Sequence, residues 1–230
     1  MNIITSETTE NIETTSLRTQ SNVQTKISKK VYIKVKRVID VILASIALIL
    51  LSPLFAIIAI AIKIDSKGPV FFEHKRIGKN GKIIKLYKFR SMVINAEELI
   101  KSFTPEQMKE YKANYKLTND PRITKVGKFL RKTSLDELPQ LINIINGDLS
   151  IIGPRPVIAD ELEKYGTNKD KFLSVTPGLT GYWAANGRSN TTYEQRMEME
   201  LYYIDNLSLK MDIKVFFKTI LSVVKKEGAI

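Results

Sequence analysis

Two adjacent acids, Asp136 and Glu137, stand at the head of an otherwise apolar run in the stretch TSLDELPQLINIINGDLS, residues 133–150. A pair of carboxylates is a residue type that can take part in catalysis or hold a cation. It can also serve only the helix that follows, because Ser134 and Glu137 fit a capping box and acids in a first turn suit the helix dipole. This stretch by itself leaves both interpretations open.

Basic and glycine-proline clusters surround the acid pair. They are KFR at residues 88–90, DPRITKVGKFLRK just before the pair, GPRP at residues 153–156 and TPGLTGYWAANGR, which ends at Arg188. Most such charges are simply solvated. Arg155 differs, because its flanking prolines fix the backbone and a fixed backbone suits an arginine held toward a phosphate. Gly178 and Gly181 fit either close approach of backbone to a ligand or plain turns.

Composition and missing motifs narrow the function classes. The 230 residues contain no cysteine, which excludes disulfides, thiolate metal sites and a cysteine nucleophile. No Walker phosphate loop, G-x-G-x-x-G, H-E-x-x-H or G-x-S-x-G motif is present. The net charge of +12 indicates an anionic partner: nucleic acid, an acidic membrane surface or phosphorylated substrates. Charge alone does not choose among them.

The dominant feature is an uncharged run of 22 residues, 41–62, which is long enough for a membrane helix. Ser52-Pro53 divides it into arms of eleven and nine residues, each about 14–16 Å long as a helix. Both flanks are basic, which favours placing both ends on the cytoplasmic side. A helix broken at Ser52-Pro53 that dips into the membrane and returns satisfies both features, whereas a straight crossing with a mild kink is the alternative. The flanking charges are Lys29, Lys30, Lys34, Lys36 and Arg37 before the run, and Lys63, Lys67, Lys75 and Arg76 after it.

The rest of the chain predicts a mixed fold with more helix than strand. A Ser/Thr-rich tail over residues 1–28 is expected to be disordered, residues 29–65 form the basic flank and membrane helix, and residues 66–230 form a cytoplasmic catalytic domain. Two strands joined at Asn80-Gly81 predict a small hairpin, and His74, the only histidine, is expected to have a surface or hairpin role there. Apolar residues at helical spacing over residues 213–224 predict an amphipathic helix that lies in the membrane interface or packs on the core. The predicted fold class is therefore α+β, predominantly α, with a re-entrant membrane helix and interfacial amphipathic helices.

Taken in order, these motifs resemble the bacterial sugar transferases known as monotopic phosphoglycosyl transferases. The likeness runs from about Lys36 to the C-terminus, through KRVID, the Ser-Pro pair, KFRSM, DPRITKVGKFLRKTSLDELPQLINIINGDLSIIGPRP and TPGLTGYWAANGR. The resemblance implies transfer of a phosphosugar from a UDP-sugar to polyprenyl (undecaprenyl) phosphate, giving a polyprenyl-diphosphate sugar and UMP, with Mg²⁺ as cofactor. It also implies the re-entrant helix, and the chain resembles the minimal catalytic form of the family.

Carried over residue by residue, the resemblance makes Asp136 and Glu137 the catalytic pair and the magnesium ligands, with Asp136 as covalent nucleophile. Arg155 is expected to contact a substrate phosphate. Further phosphate-binding candidates are Lys88, Arg90, Arg131 and Arg188, and the membrane-helix break is expected at Ser52 and Pro53.

The expected protein is a transferase at the cytoplasmic face of a bacterial inner membrane that begins glycan assembly: exopolysaccharide, capsule, O-antigen or glycoprotein. Its expected partners are the UDP-sugar, polyprenyl phosphate and membrane lipid, without nucleic acid; homo-oligomerisation and the identity of the sugar stay open. Two alternatives are a membrane-anchored basic binding protein, for which the aromatics in KLYKFR would suit nucleic acid, and a spanning scaffold with inactive motifs. Release of UMP distinguishes the transferase from both.

Overall fold

A computed structural model describes the backbone of residues 4–114, 117–187 and 191–224, and the side chains of residues 29–111, 117–187 and 191–222. This part of the chain is mostly helical, with one long apolar helix and two two-stranded sheets. The predicted α+β class and the small hairpin are confirmed, whereas the second sheet was not predicted. The elements are α1 (Ile4–Asp65), β1 (Phe71–Ile77), β2 (Ile83–Phe89), α2 (Pro105–Asn114), α3 (Lys125–Thr133), α4 (Gln140–Asn146), β3 (Ser150–Ile152), α5 (Ala159–Glu163), α6 (Lys169–Leu173), β4 (Gly178–Thr180), α7 (Tyr182–Asn186), α8 (Tyr193–Asp205) and α9 (Leu209–Val224).

The backbone of α1 begins at Ile4, so it includes most of the tail that the sequence predicts to be disordered. The difference has a simple physical source, because extending a formed helix costs far less than nucleating one. The proposed boundaries at residues 28 and 65 stay predictions. Within α1, residues 29–65 are long and apolar enough to cross a membrane.

One face of α1 packs on the globular domain along the whole apolar segment. Ala44, Ile58 and Ile62 are buried at helical spacing. Between them lie the partly buried Ala47, Leu48, Leu51, Leu54 and Phe55, which pack against the same core clusters. The opposite face is apolar and exposed, with Ile49 and Leu50 both 72% exposed. The helix therefore has protein on one side and an open apolar surface on the other.

The helix continues through Ser52-Pro53, where the sequence predicts a break. Pro53 has no N–H to donate to the carbonyl of Ile49. The Ser52 hydroxyl donates to that carbonyl instead, at 2.8 Å, so the backbone group left without a partner by proline is satisfied. The re-entrant course of the segment stays a prediction.

The hairpin forms as its sequence predicts. β1 and β2 pair antiparallel from Phe71↔Phe89 to Ile77↔Ile83. The turn places Asn80 at φ 56° and Gly81 at φ 77°, the left-handed region that this residue pair tolerates. Because side chains alternate along a strand, one face of the hairpin carries the set His74, Arg76, Leu86 and Lys88.

The second sheet pairs β3 with β4 in parallel, with Ser150 opposite Gly178, and α1 holds it in place. Asp40, at 5% exposure, accepts hydrogen bonds from the Ser150 hydroxyl at 2.7 Å and from the Ile151 N–H at 3.1 Å. The helix is thus joined to the sheet by a buried carboxylate whose hydrogen bonds replace those it would make to water.

A second buried carboxylate joins the C-terminal helices to α1. Asp212 of α9 accepts from Tyr203 of α8 at 2.6 Å, and from Tyr32 and Lys36 of α1 at 2.7 Å each. The predicted apolar stripe of α9 faces away from the core. One member of the stripe, Val224, has a side chain that lies outside the described residues. The exposed members of the stripe are Ile213, Phe216, Phe217, Ile220 and Leu221.

We expect Asp40→Ala to destabilise the fold by about 1–3 kcal/mol, because it leaves two buried donors on β3 without an acceptor. Thermal melting of the purified protein in detergent measures the loss. Asp40→Asn, which keeps one acceptor oxygen, should lose less. A melting midpoint for Asp40→Ala equal to that of the wild type would contradict the buried connection.

Candidate active site

The acid pair lies in a short 3₁₀ turn, Leu135–Glu137, between α3 and α4. Ser134 before it has φ 57°, in the left-handed region, and its N–H bonds back to the last turn of α3. The predicted capping box of Ser134 and Glu137 is therefore wrong, because Ser134 ends one helix instead of beginning the next and makes no side-chain capping bond. α4 starts only after Pro139. Asp136 therefore lies in the 3₁₀ turn before α4 and not in the first turn of that α-helix.

Glu137 turns toward the hairpin. Its Oε1 accepts a hydrogen bond from Lys88 Nζ at 2.6 Å, and the two side chains are 28% and 20% exposed. The pair connects residues 49 positions apart in sequence. The local sequence pattern could not reveal this contact and suggested a helix cap instead. The same contact brings two of the predicted site residues together.

Asp136 has a different environment, since it is only 8% exposed. Burial raises the pKa of its carboxyl group, Lys88 lowers that pKa, Glu137 raises it and Arg131 lowers it, with a net upward shift. A carboxylate with a raised pKa is more basic and a better nucleophile than an exposed one once it is ionised. Cations beside it limit the cost of that ionisation.

Two of the predicted phosphate-binding arginines are held by the protein itself. Arg131 Nε donates to the Ser91 hydroxyl at 2.8 Å, close to Asp136. Arg90, at 5% exposure, donates to the Ser66 carbonyl at 2.8 Å and to the Lys67 carbonyl, and so fixes the chain after α1. This geometry gives Arg90 a structural role. Arg188 lies outside the described residues.

The helix that follows the acid pair is anchored on both sides. Asn143 of α4 is fully buried, donates to the Lys85 carbonyl at 2.7 Å and accepts from the Tyr87 N–H at 2.9 Å. Arg37 of α1 donates to the Ile145 carbonyl at 2.7 Å at the other end of α4. These bonds fix the 3₁₀ turn relative to the hairpin and therefore relative to Lys88.

An open cleft lies between the hairpin, the acid pair and the GPRP loop. It brings together three predicted site residues, Lys88, Glu137 and Arg155, while Asp136, Arg90 and Arg131 are not among its lining side chains. His74, Arg76 and Gln140 were missed by sequence reasoning. The strand alternation that places Arg76 and Lys88 on one hairpin face was the available signal for Arg76. The lining residues are His74, Arg76, Leu86, Lys88, Glu137, Gln140, Arg155, Pro156, Gly178 and Leu179.

The GPRP loop presents Arg155 to solvent between two buried prolines. Its backbone N–H donates to Glu200 Oε1 at 3.0 Å. A Cβ on Gly178 would lie 2.1 Å from the N atom of Gly153, and one on Gly181 would lie 2.1 Å from the Gly153 carbonyl oxygen. The glycines therefore serve close packing of backbone against backbone, which answers the question that the sequence left open.

Comparison with known proteins identifies the family. The family model described as bacterial sugar transferase matches residues 31–226. The chain belongs to the bacterial sugar transferase family.

Curated relatives of this family are similar over most of the chain. The undecaprenyl-phosphate galactose phosphotransferase of Salmonella typhimurium is 42% identical over 216 residues, 93% of this chain and 44% of its own length. The exopolysaccharide production protein ExoY of Rhizobium meliloti is 46% identical over 197 residues, 84% of this chain and 87% of its own. The UDP-glucose:undecaprenyl-phosphate glucose-1-phosphate transferase of Escherichia coli is 41% identical over 193 residues, 80% of this chain and 39% of its own. The chain thus spans less than half of two of these transferases.

The acid pair supplies the type of oxygen ligand that a magnesium ion prefers. Mg²⁺ prefers oxygen ligands and commonly takes one or two carboxylates together with substrate phosphates. Asp136 and Glu137 supply adjacent carboxylates, and among the described residues no group of three or more His, Cys, Asp or Glu side chains forms a metal site. Substrate oxygens would have to complete the coordination, and the magnesium requirement stays a prediction.

Glu200, which accepts the hydrogen bond of the Arg155 N–H, predicts that the stability of the fold depends on pH. Burial raises the pKa of Glu200 from 4.5 to about 7, against the Arg155 N–H bond and the charges of Arg196 and Arg155, which lower it. The folded state therefore binds the proton more tightly than the unfolded state. Stability from this group is fully present below about pH 4.5 and is lost as pH rises to about 7, by roughly 3 kcal/mol.

We expect Glu200→Gln to remove this step, because glutamine keeps the acceptor for the Arg155 N–H without a charge. Melting curves between pH 5 and pH 8 compare the variant with the wild type. Glu198→Gln makes the same change at an exposed position of α8 and should leave the wild-type slope. Parallel pH profiles for all three proteins would contradict the burial of an ionisable Glu200.

Proposed function

We propose that this chain transfers a phosphosugar from a UDP-sugar to polyprenyl phosphate, releasing UMP, as the first membrane step of glycan assembly. The observation that carries the proposal is the position of a buried carboxylate, Asp136, beside an open cleft with the cations Lys88, Arg76 and Arg155. Such a site suits a nucleophile and a polyphosphate substrate. The names of the undecaprenyl-phosphate relatives support the same substrates.

The proposed chemistry consists of two displacements at one phosphorus. The Asp136 carboxylate attacks the phosphorus that carries the sugar; a carboxyl oxygen–phosphorus bond forms, and the bond to the bridging oxygen breaks as UMP leaves. An oxygen of polyprenyl phosphate then attacks the same phosphorus and releases the carboxylate. One diphosphate link is broken and another is made, so ATP is not needed, which agrees with the missing Walker motif.

The surrounding residues have separate tasks in this scheme. Arg155 and Lys88 lie where they can offset the negative charge of the phosphates, and Glu137 holds Lys88 at 2.6 Å. Asp136 and Glu137 would hold Mg²⁺, which, when bound, neutralises phosphate charge and favours departure of UMP. The burial of Asp136 limits access of water to the covalent adduct.

The proposed setting is the cytoplasmic face of a bacterial inner membrane. α1 packs on the domain throughout its apolar segment, and a straight crossing would carry much of that protein-covered face into lipid. A segment that enters and returns near Ser52-Pro53 keeps the domain on one side, with the exposed face of α1 toward lipid. The exposed stripe of α9 supports an interfacial position for that helix.

We expect a covalent phosphosugar on Asp136 when the protein receives a UDP-sugar without lipid acceptor. The wild type should release up to one UMP per site, gain the mass of a phosphosugar and show ping-pong kinetics. Asp136→Asn should reduce UMP release by at least about a thousandfold, because an amide is a poor nucleophile. Asp160→Asn, an exposed change on α5, is the matched control. Intersecting kinetic lines and no adduct after rapid quenching would instead favour direct attack by the lipid phosphate.

We also expect both ends of the apolar segment to face the cytoplasm. The chain has no cysteine, so Lys30→Cys and Lys79→Cys each create a single thiol at an exposed position. A membrane-impermeant maleimide should label both in inverted vesicles and neither in intact spheroplasts. Pro53→Leu should restore the helix donor and shift some of the chain toward crossing. Labelling of the two sites from opposite sides in the parent chain would show a straight span.

A further inference from the structure

The cleft contains two arginines that form no close ion pair within the part of the chain that the structure describes. Arg76 of β1 and Arg155 of the GPRP loop both line it. The salt bridges within the described residues include neither of them. Burial and the positive charge of Arg155 lower the pKa of Arg76, while Glu161 and Glu137 raise it, which agrees with the position of both arginines on one cleft. Neighbouring like charges repel, and an anion that binds between these two arginines would relieve the repulsion that the nearby carboxylates only partly offset.

The backbone keeps this pair together. The Ile77 N–H donates to the Val157 carbonyl at 2.8 Å, so the end of β1 is bridged to the strand-like end of the GPRP loop. The Arg155 N–H is held in turn by Glu200. Both arginines are thus attached to fixed backbone, which is the arrangement that makes a charged hydrogen-bonding site effective.

His74 orients Arg76 within the hairpin. The Arg76 guanidinium donates to His74 Nε2 at 2.6 Å. Burial, with the charges of Arg76, Lys88 and Arg155, lowers the pKa of His74 to about 4, so the ring is neutral near pH 7 and its Nε2 can accept. One arm of the guanidinium is thereby fixed by the imidazole, and its remaining N–H groups are available to a ligand in the cleft.

We infer that Arg76 and Arg155 form a two-arginine clamp for a phosphate group in this cleft, with His74 as the residue that positions Arg76. The inference rests on the proposed function, because the phosphate would belong to the donor diphosphate or to the lipid acceptor. Arginine suits this task, since its planar fork donates two hydrogen bonds to neighbouring phosphate oxygens. Lys88 is committed to Glu137 and supplies a point charge nearby.

The decisive comparison is Arg76→Gln against Lys75→Gln in the full-length protein in nanodiscs. Lys75 is exposed and lies on the opposite face of the same strand, so both variants lose one charge but only one loses a clamp arm. Arg76→Gln should weaken binding of UDP, or of polyprenyl phosphate, by about tenfold or more. Lys75→Gln should bind both as the wild type does. Arg76→Lys, which keeps the charge without the fork, should fall between them and also serves if Arg76→Gln folds poorly.

UMP release identifies which phosphate is held. Loss of the UMP burst from UDP-sugar alone assigns the clamp to the donor, and a preserved burst with slow lipid-dependent turnover assigns it to the acceptor. The clamp is overturned if Arg76→Gln matches Lys75→Gln in UDP binding, lipid phosphate binding, burst and turnover. A wild-type protein that binds UDP through Arg76 but never releases UMP would leave the clamp standing and contradict the proposed function.

The positioning role of His74 has its own readout. His74→Phe keeps a ring but removes the acceptor, so it should raise the KM for the clamped substrate with little change in kcat. His74→Gln offers an amide oxygen to Arg76 and should recover much of the lost affinity. Equal KM values in the wild type and His74→Phe, or equal loss in both variants, would remove His74 from the clamp.

Discussion

The packing of α1 along its whole apolar segment is the constraint on which the remaining structure depends. Two of the three hydrophobic clusters include side chains of this helix. Three polar residues of α1 form hydrogen bonds with other elements: Asp40 with β3, Arg37 with the end of α4, and Lys36 with α9. A helix that packs on protein along one side of a long segment can take few orientations relative to that protein. The sheets and helices that form the cleft are therefore oriented by the same helix whose other face is apolar and exposed.

Electrostatics then gives the cleft its character. Lys88 forms a salt bridge with Glu137, whereas Arg76 and Arg155 form none among the described residues. Proteins seldom place like charges together in a partly buried site without a ligand to balance them. Part of the positive charge of the chain therefore lies where a phosphate can use it.

The two adjacent acids illustrate how neighbours in sequence acquire different properties. Glu137 lines the cleft and bonds Lys88, while Asp136 is buried beside the cleft and has a raised pKa. The difference follows from the 3₁₀ turn, which gives successive side chains different neighbours. Such a separation of environments is how a protein assigns different tasks to two identical chemical groups.

The sequence by itself determined the elements that local patterns encode. The uncharged run made α1 apolar, Asn80-Gly81 made the hairpin turn, and the helical spacing of apolar residues made α9. The motifs around Asp136 and Arg155 identified the family and the candidate site. These features could be predicted because turn preferences and side-chain periodicity act over a few residues.

Only the tertiary structure decided which distant groups meet. Local pattern could not show three of these contacts. Glu137 bonds Lys88 instead of capping a helix, and Gly178 packs on the Gly153 backbone. The Arg90 guanidinium donates its hydrogen bonds to the Ser66 and Lys67 carbonyls. Nor could local pattern join Arg76 to Arg155, since that depends on the bridge between β1 and the GPRP loop. Such contacts depend on which faces of separate elements are buried together, and burial is a property of the whole fold.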